Sequence, residues 1–395
     1  MKRILFFAAI AAAVALSSCS KNEIEVVADD PSDAISFSTY VGTANRGATV
    51  MSKFESGDSF GVFAQYTGTT AYSDDNYEAD FMYNQKVGYD GSTWSYTPLK
   101  YWPNDVTSDN EAGKVSFFAY WPMADATNGI TVPTVDNMSV PRVLYDASAQ
   151  TDLMWGVDVA DSLAWTDMTK QSTAVNFLFK HALARVGFEV ELGDDILKHA
   201  STDGTTTVTV NSIKFGYVEG SNVEEAGDTD GLNEKAYLYL NNKTKDVAKW
   251  VNQATSSEYS LKLAGATDFE DANDVDVPAV FTLAGAAGVS VGYNETISNG
   301  SDEYFMIIPQ DMSATGASLK MRITYTVNTT DEALGDKKSE IVNISTFDVS
   351  QNFASGKAYK YIFTLNLGSV DMEATDPTEW TDASTDVAVP YVAAQ

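Results

Sequence analysis

The sequence predicts an all-β protein built as packed β-sandwiches. Short runs rich in Val, Ile, Thr, Phe and Tyr recur along almost the whole chain between Gly, Asn and Asp clusters, and helical periodicity is weak throughout. Several runs also alternate apolar and polar residues with the period of two that a half-buried strand requires. Apolar residues make up 44% of the 395 and aromatic residues 12%, enough to form real cores and too much for a disordered acidic chain.

The chain opens on Lys2 and Arg3, followed by the unbroken apolar stretch Ile4 to Leu16, which is 13 residues long and contains six Ala. A membrane-spanning helix needs roughly 20 apolar residues, so this stretch has the size of a signal-peptide core. It ends in Leu16-Ser17-Ser18-Cys19, the pattern of a lipobox: an aliphatic residue, two small ones, then the Cys that takes a diacylglyceryl group. Cys19 is the only Cys in the chain, which excludes an intrachain disulfide framework and multi-cysteine metal sites. Residues 1–18 are therefore expected to be a lipoprotein signal peptide, with the mature chain tethered to a membrane by lipid at Cys19. Residues 19–33 are polar and acidic and suit a flexible tether.

Strand-like runs then follow at Ser59 to Gln65, Val115 to Tyr120, Thr206 to Tyr217, Glu303 to Pro309, Leu319 to Val327 and Tyr359 to Leu367. In the last, Tyr359, Tyr361, Phe363, Leu365 and Leu367 share one face. A polar stretch at 166–174 separates two apolar regions, so the expected domains are 34–170 and 171–395. Just beyond it, Phe177 and Phe179 occupy odd positions whereas Val186, Phe188, Val190 and Leu192 occupy even ones. A strand cannot absorb that change of parity without a bulge or a break near Lys180 to Ala184.

Charge and motifs limit the function. With 25 Lys+Arg against 55 Asp+Glu the formal net charge is −30, which argues against nucleic acid as a partner. The two histidines, His181 and His199, have no His or Cys at i+2 or i+4 to share a metal, and no HExxH, G-x-S-x-G or Walker pattern occurs. No catalytic residue, metal or cofactor is assigned. His181 reads as a packed strand residue and His199 as a surface one. In the acidic run 219–233, setting Gly231 at position six of an EF-hand loop puts Ala226 where the first carboxylate belongs, and Asp268 to Asp276 contains no Gly. These are better read as solvated loops, with an irregular Ca²⁺ site as the lesser alternative. The cluster Trp94, Tyr96, Tyr101, Trp102, Tyr120 and Trp121 reads first as sandwich core with Tyr at its edges, and second as a sugar-stacking platform. Pro103 and Pro122 mark strand ends.

Several stretches together resemble the fimbrillin family, Mfa-like branch, the subunits of lipoprotein-derived (type V) pili. They are LSSCSKNE at the anchor, AISFSTYVG (34–42), FGVFAQYTG (60–68), FMYNQKVGYDGSTWSYTPLKYWPN (81–104), VSFFAYWP (115–122), NFLFKHALARVGFEV (176–190), YFMIIPQ (304–310), and GKAYKYIFTLNL running on to EWTD (356–382). The resemblance implies two tandem transthyretin-like β-sandwich domains and export as an outer-membrane lipoprotein. It also implies cleavage by an Arg-specific protease in a loop after the first strand, and assembly with other pilus subunits into surface fibres that meet a host or bacterial ligand.

Arg occurs only at 3, 46, 142, 185 and 322. Arg185 and Arg322 fall in predicted strands and Arg142 follows a Pro, whereas Arg46 and Gly47 sit in a small-residue loop of the kind proteases enter. Cleavage there would free Ile35, Phe37 and Val41, the one-faced apolar residues of the first strand, and expose a groove with unpaired backbone groups. At the other end, Val387, Val389 and Tyr391 alternate on one face, a candidate donor strand near 385–395. Two readings of it stay open, a donor to a neighbouring subunit and the last strand of its own sandwich. The rival to a pilus subunit is a permanently anchored surface lipoprotein that binds glycans or host proteins.

Overall fold

The computed structural model describes residues 33–41, 54–103, 112–194, 206–216, 233, 235–252, 261–263, 273–275, 281–284, 305–313, 320–331, 337–366, 369–374 and 376–379. Its regular structure is almost entirely strands, so the all-β expectation holds. In chain order these begin with β1 (Phe37–Val41), β2 (Ser59–Gly68), β3 (Met82–Tyr89), β4 (Trp94–Ser95), β5 (Lys114–Trp121), β6 (Ile130–Thr131) and β7 (Arg142–Asp146). Next come β8 (Met154–Asp158), β9 (Trp165–Met168), β10 (Val175–His181), β11 (Ala184–Leu192), β12 (Thr206–Gly216), β13 (Lys235–Tyr239) and β14 (Lys249–Asn252). The remainder are β15 (Leu261–Leu263), β16 (Asn273–Val275), β17 (Phe281–Ala284), β18 (Phe305–Ile307), β19 (Gln310–Asp311), β20 (Lys320–Asp331), β21 (Lys337–Asp348), β22 (Asn352–Phe353), β23 (Lys357–Leu365), β24 (Val370–Ala374) and β25 (Thr378–Glu379).

The first sheet runs β1-β10-β8-β5-β2-β3-β4, with β9 also paired to β5. A second runs β18-β11-β23-β24, a third β17-β12-β20-β21 and a fourth β14-β13-β7-β6. The first sheet is buried on both faces. Phe60, Val62, Val115, Phe117, Phe177 and Phe179 build one core with Ile35, Phe37 and Trp102. Phe63, Phe118, Tyr120, Trp155 and Val157 point the other way, into a core shared with Val143, Tyr145, Ala236 and Leu238 of the fourth sheet and with residues of β11, β20 and β23. Burial on two faces explains why SFGVFAQ and VSFFAYW are nearly continuous apolar runs.

The change of parity resolves as a break at Ala182-Leu183. β10 ends at His181 in the first sheet, and β11 begins at Ala184 in the second, pairing parallel with β23. The joint is pinned by Ala182 N–H to Leu153 O (2.8 Å), Gly356 N–H to Leu183 O (2.9 Å) and the Trp250 indole N–H to Ala182 O (2.8 Å). Hydrogen-bonded sheet membership crosses residue 170: β10 belongs with β8, and β7 pairs with β13. Tyr359, Tyr361, Phe363 and Leu365 are buried on one face of β23.

Candidate functional site: the first strand and its slot

β1 lies at the edge of the first sheet and pairs parallel with β10, Phe37 opposite Val175 and Val41 opposite Phe179. Alternation along the strand turns Ile35 (1% exposed) and Phe37 (5% exposed) into the core. Phe37 meets four rings: it stacks on Phe177 at 6.0 Å, meets Phe60 and Phe117 edge-on at 6.2 and 6.0 Å, and lies tilted against Tyr96 at 5.4 Å. Burying an Ile and a Phe side chain contributes about 1.5–3 kcal/mol each. The backbone of Val41 completes the pairing.

The residues just before β1 are stitched to a second partner. Ile35 N–H donates to Lys100 O (2.8 Å), Trp102 N–H donates to Asp33 O (3.0 Å), and Ala34 bridges to Tyr101. The Tyr96 hydroxyl donates to Ile35 O (2.8 Å) and accepts from Lys100 N–H (3.3 Å). Burial pushes the Tyr96 phenol above its ordinary range, and the hydrogen bond at Lys100 partly offsets that. Val175 N–H donates to Ser36 O (2.8 Å), and Lys170 pairs with Asp33 at 2.5 Å. The first segment thus occupies a slot walled by β10 on one side and by residues 96–102 on the other. Lys100, Lys170 and the backbone-binding role of Tyr96 are the parts of this site that sequence reasoning missed. Their roles depend on backbone atoms brought from distant positions, and no spacing signals that.

Of the other residues singled out, Cys19, Arg46, Gly47, Val387, Val389 and Tyr391 lie outside the described residues, as do His199 and most of the acidic runs 219–233 and 268–276. Arg142, Arg185 and Arg322 all lie within strands, β7, β11 and β20. The aromatic cluster is sandwich core: Trp102 and Tyr120 are buried, and Trp94, Tyr96 and Trp121 pack half-buried against the core that holds Phe37. β5 ends at Trp121, before Pro122. His181 is buried with its Nδ1 3.0 Å from Asp152 Oδ1, a pairing that no sequence motif announces. Among the described residues no group of three or more His, Cys, Asp or Glu could hold a metal ion, and no helix is long and apolar enough to cross a membrane.

Fold and slot together define a class: a multi-sheet, all-β protein whose first strand closes a sheet edge. The chain belongs to the fimbrillin-like family, whose model matches residues 46–376. Fimbrium subunit Fim1C of Phocaeicola vulgatus is 23% identical over 402 residues, covering 95% of this chain and 96% of that one. A crystal structure of a fimbrial protein from Bacteroides vulgatus matches with a TM-score of 0.57 at 20% identity, over 88% of this chain and 99% of that chain. That likeness shows a shared fold.

Proposed function

We propose that this chain is a structural and adhesive subunit of a surface fimbrium rather than an enzyme. In this reading it is exported as an outer-membrane lipoprotein anchored at Cys19, cut after Arg46 by an Arg-specific protease, and assembled with other subunits by strand exchange. Family membership supports the fimbrial role. One structural observation carries the mechanism: the first strand is an edge strand whose two deeply buried side chains, Ile35 and Phe37, sit in a slot made by other segments. Its removal would leave apolar rings and the β10 backbone facing water, a template that another subunit's strand can fill. Cleavage after Arg46 separates that strand from everything that follows, and the described arginines offer a protease only strand backbone. The donor is the segment around Val387, Val389 and Tyr391, or the same segment closes its own sandwich. The division into 34–170 and 171–395, each transthyretin-like, belongs to this proposal.

N-terminal sequencing of protein recovered from sheared surface fibres tests it. A mature start at Gly47, lost together with fibre incorporation in Arg46→Ala, is the expected result. Acylated Cys19 retained in every molecule would leave the permanently anchored binder as the better account.

A further inference from the structure

The backbone of the first-strand slot restricts which strand can take the place of β1. Val175 N–H donates to Ser36 O at 2.8 Å, so Ser36, Ser38 and Tyr40 turn their backbone groups toward β10. Ser38 and Tyr40 are held there in the parallel ladder, opposite Asn176 and Leu178. Ser36 differs from both. It lies just before β1, is exposed, and among the described residues its N–H meets no acceptor. Its neighbours Ile35 and Phe37 are buried, the second against the rings of Phe60, Tyr96, Phe117 and Phe177. An occupant thus needs an aliphatic residue, then one that can do without an N–H, then a ring. Proline lacks an N–H, so it is admitted at position 36 and excluded at 38 and 40, where it would remove a ladder donor.

Val389-Pro390-Tyr391 has that pattern, and its proline sets one register. Moving the segment two residues forward puts Pro390 at position 38, on the ladder. Moving it two residues back puts Tyr391 in the place of Ile35 and leaves Ala393 for the ring pocket. A shift by one residue turns Val389 and Tyr391 away from the core. Charge agrees with the remaining register: Asp386 directly precedes the residue that takes the place of Asp33, so the exposed Lys170 keeps a carboxylate nearby. Residues 380–395 follow the last described strand, which leaves 380–386 as a link when 387–395 lie in the slot. We infer that the exchange occupant of the slot is the segment Val387 to Gln395 of a second copy, parallel to β10. Val389 takes the place of Ile35, Pro390 that of Ser36 and Tyr391 that of Phe37. This rests on the strand-exchange reading above and adds its partner, direction and register.

The test uses the full chain with Cys19→Ser and Asn176→Cys, cut after Arg46 by an Arg-specific protease, unfolded in urea and refolded with excess synthetic peptide of residues 385–395. Directly paired residues lie about 5 Å apart between Cα atoms, within disulfide reach, whereas a shift of two residues puts them beyond about 7 Å. The Val392→Cys peptide is therefore expected to link to position 176, and the Pro390→Cys and Ala394→Cys peptides to give about a tenth of its yield or less. By fluorescence polarisation on the cut chain with Asn176 intact, Tyr391→Ala should weaken binding about tenfold or more, and Tyr391→Phe should leave it within about twofold. Pro390→Val combined with Val392→Pro moves the proline onto the ladder and should weaken binding about fivefold or more. No uptake of the unmodified peptide would overturn strand exchange and this assignment together. Uptake with the strongest link from Pro390→Cys or Ala394→Cys, or with affinity unchanged by both Tyr391→Ala and the moved proline, would overturn the assignment alone.

Discussion

Phe37 concentrates the energetics of the slot in one side chain. Truncation in Phe37→Ala removes contacts with four rings and leaves a hole that an edge strand can partly close, so the expected cost is about 3 kcal/mol, at the low end for a buried Phe. Chemical denaturation of the purified chain checks it. Gly61 is intolerant for a different reason: a Cβ there would land in the ring of Tyr120, which is buried and held by its hydrogen bond to Asn84 Oδ1 (2.6 Å). Gly61→Ala is expected to cost about 1–3 kcal/mol on the same measurement. Asp74 supplies a pH signature. Burial alone would raise its carboxyl, but hydrogen bonds from Lys243 and Asn241 outweigh that and hold it below the ordinary carboxylate range. A depressed folded pKa contributes stability that is present above the unfolded value and lost as pH falls through the folded one. Asp74→Asn should therefore flatten the acid limb of stability below about pH 4. The change will be small because the Lys243 ammonium that pairs with it is exposed and screened, and urea midpoints measured down the pH scale would reveal it.

At the scale of elements, the first strand can be tested as a detachable part. A chain beginning at Gly47 is expected to bind more of a hydrophobic dye and to unfold at lower denaturant than the longer chain. A synthetic peptide of residues 33–46 should reverse both, because a ligand that binds only the folded form stabilises it. No response to the peptide would mean that β1 contributes nothing separable. Much of this element was legible beforehand. The one-faced pattern of Ile35 and Phe37 marked a strand, and the shift of parity after Phe179 marked the break at Ala182-Leu183. Other strands shifted at their ends, with Leu319 to Val327 running on to Asp331 and Glu303 to Pro309 stopping at Ile307. The parallel pairing of β1 with β10 was not legible, nor were the Asp33–Lys170 and His181–Asp152 pairs. Side-chain period reports which face is buried and carries no information about which distant strand lies alongside.

For the molecule as a whole, a formal charge of −30 means that identical subunits repel at a distance. Salt screens that repulsion over about 8 Å at physiological ionic strength, so assembly is left to short-range apolar and backbone contacts. Association of subunits is accordingly expected to quicken as salt rises from about 10 to 150 mM, measured by light scattering. Slowing over that range would point instead to attractive charge pairs between subunits. The sheet order has a further consequence in time. Phe37 finds its partner Val175 more than a hundred residues further along the chain, and a parallel pairing of that kind has no local hairpin to nucleate it. As the polypeptide emerges, β1 therefore gains its sheet pairing only once β10 has been delivered, while the β2–β3 and β2–β5 pairs, and the bonds of residues 33–35 to residues 100–102, can already close. The first strand is then the last piece of the first sheet to be hydrogen-bonded into it.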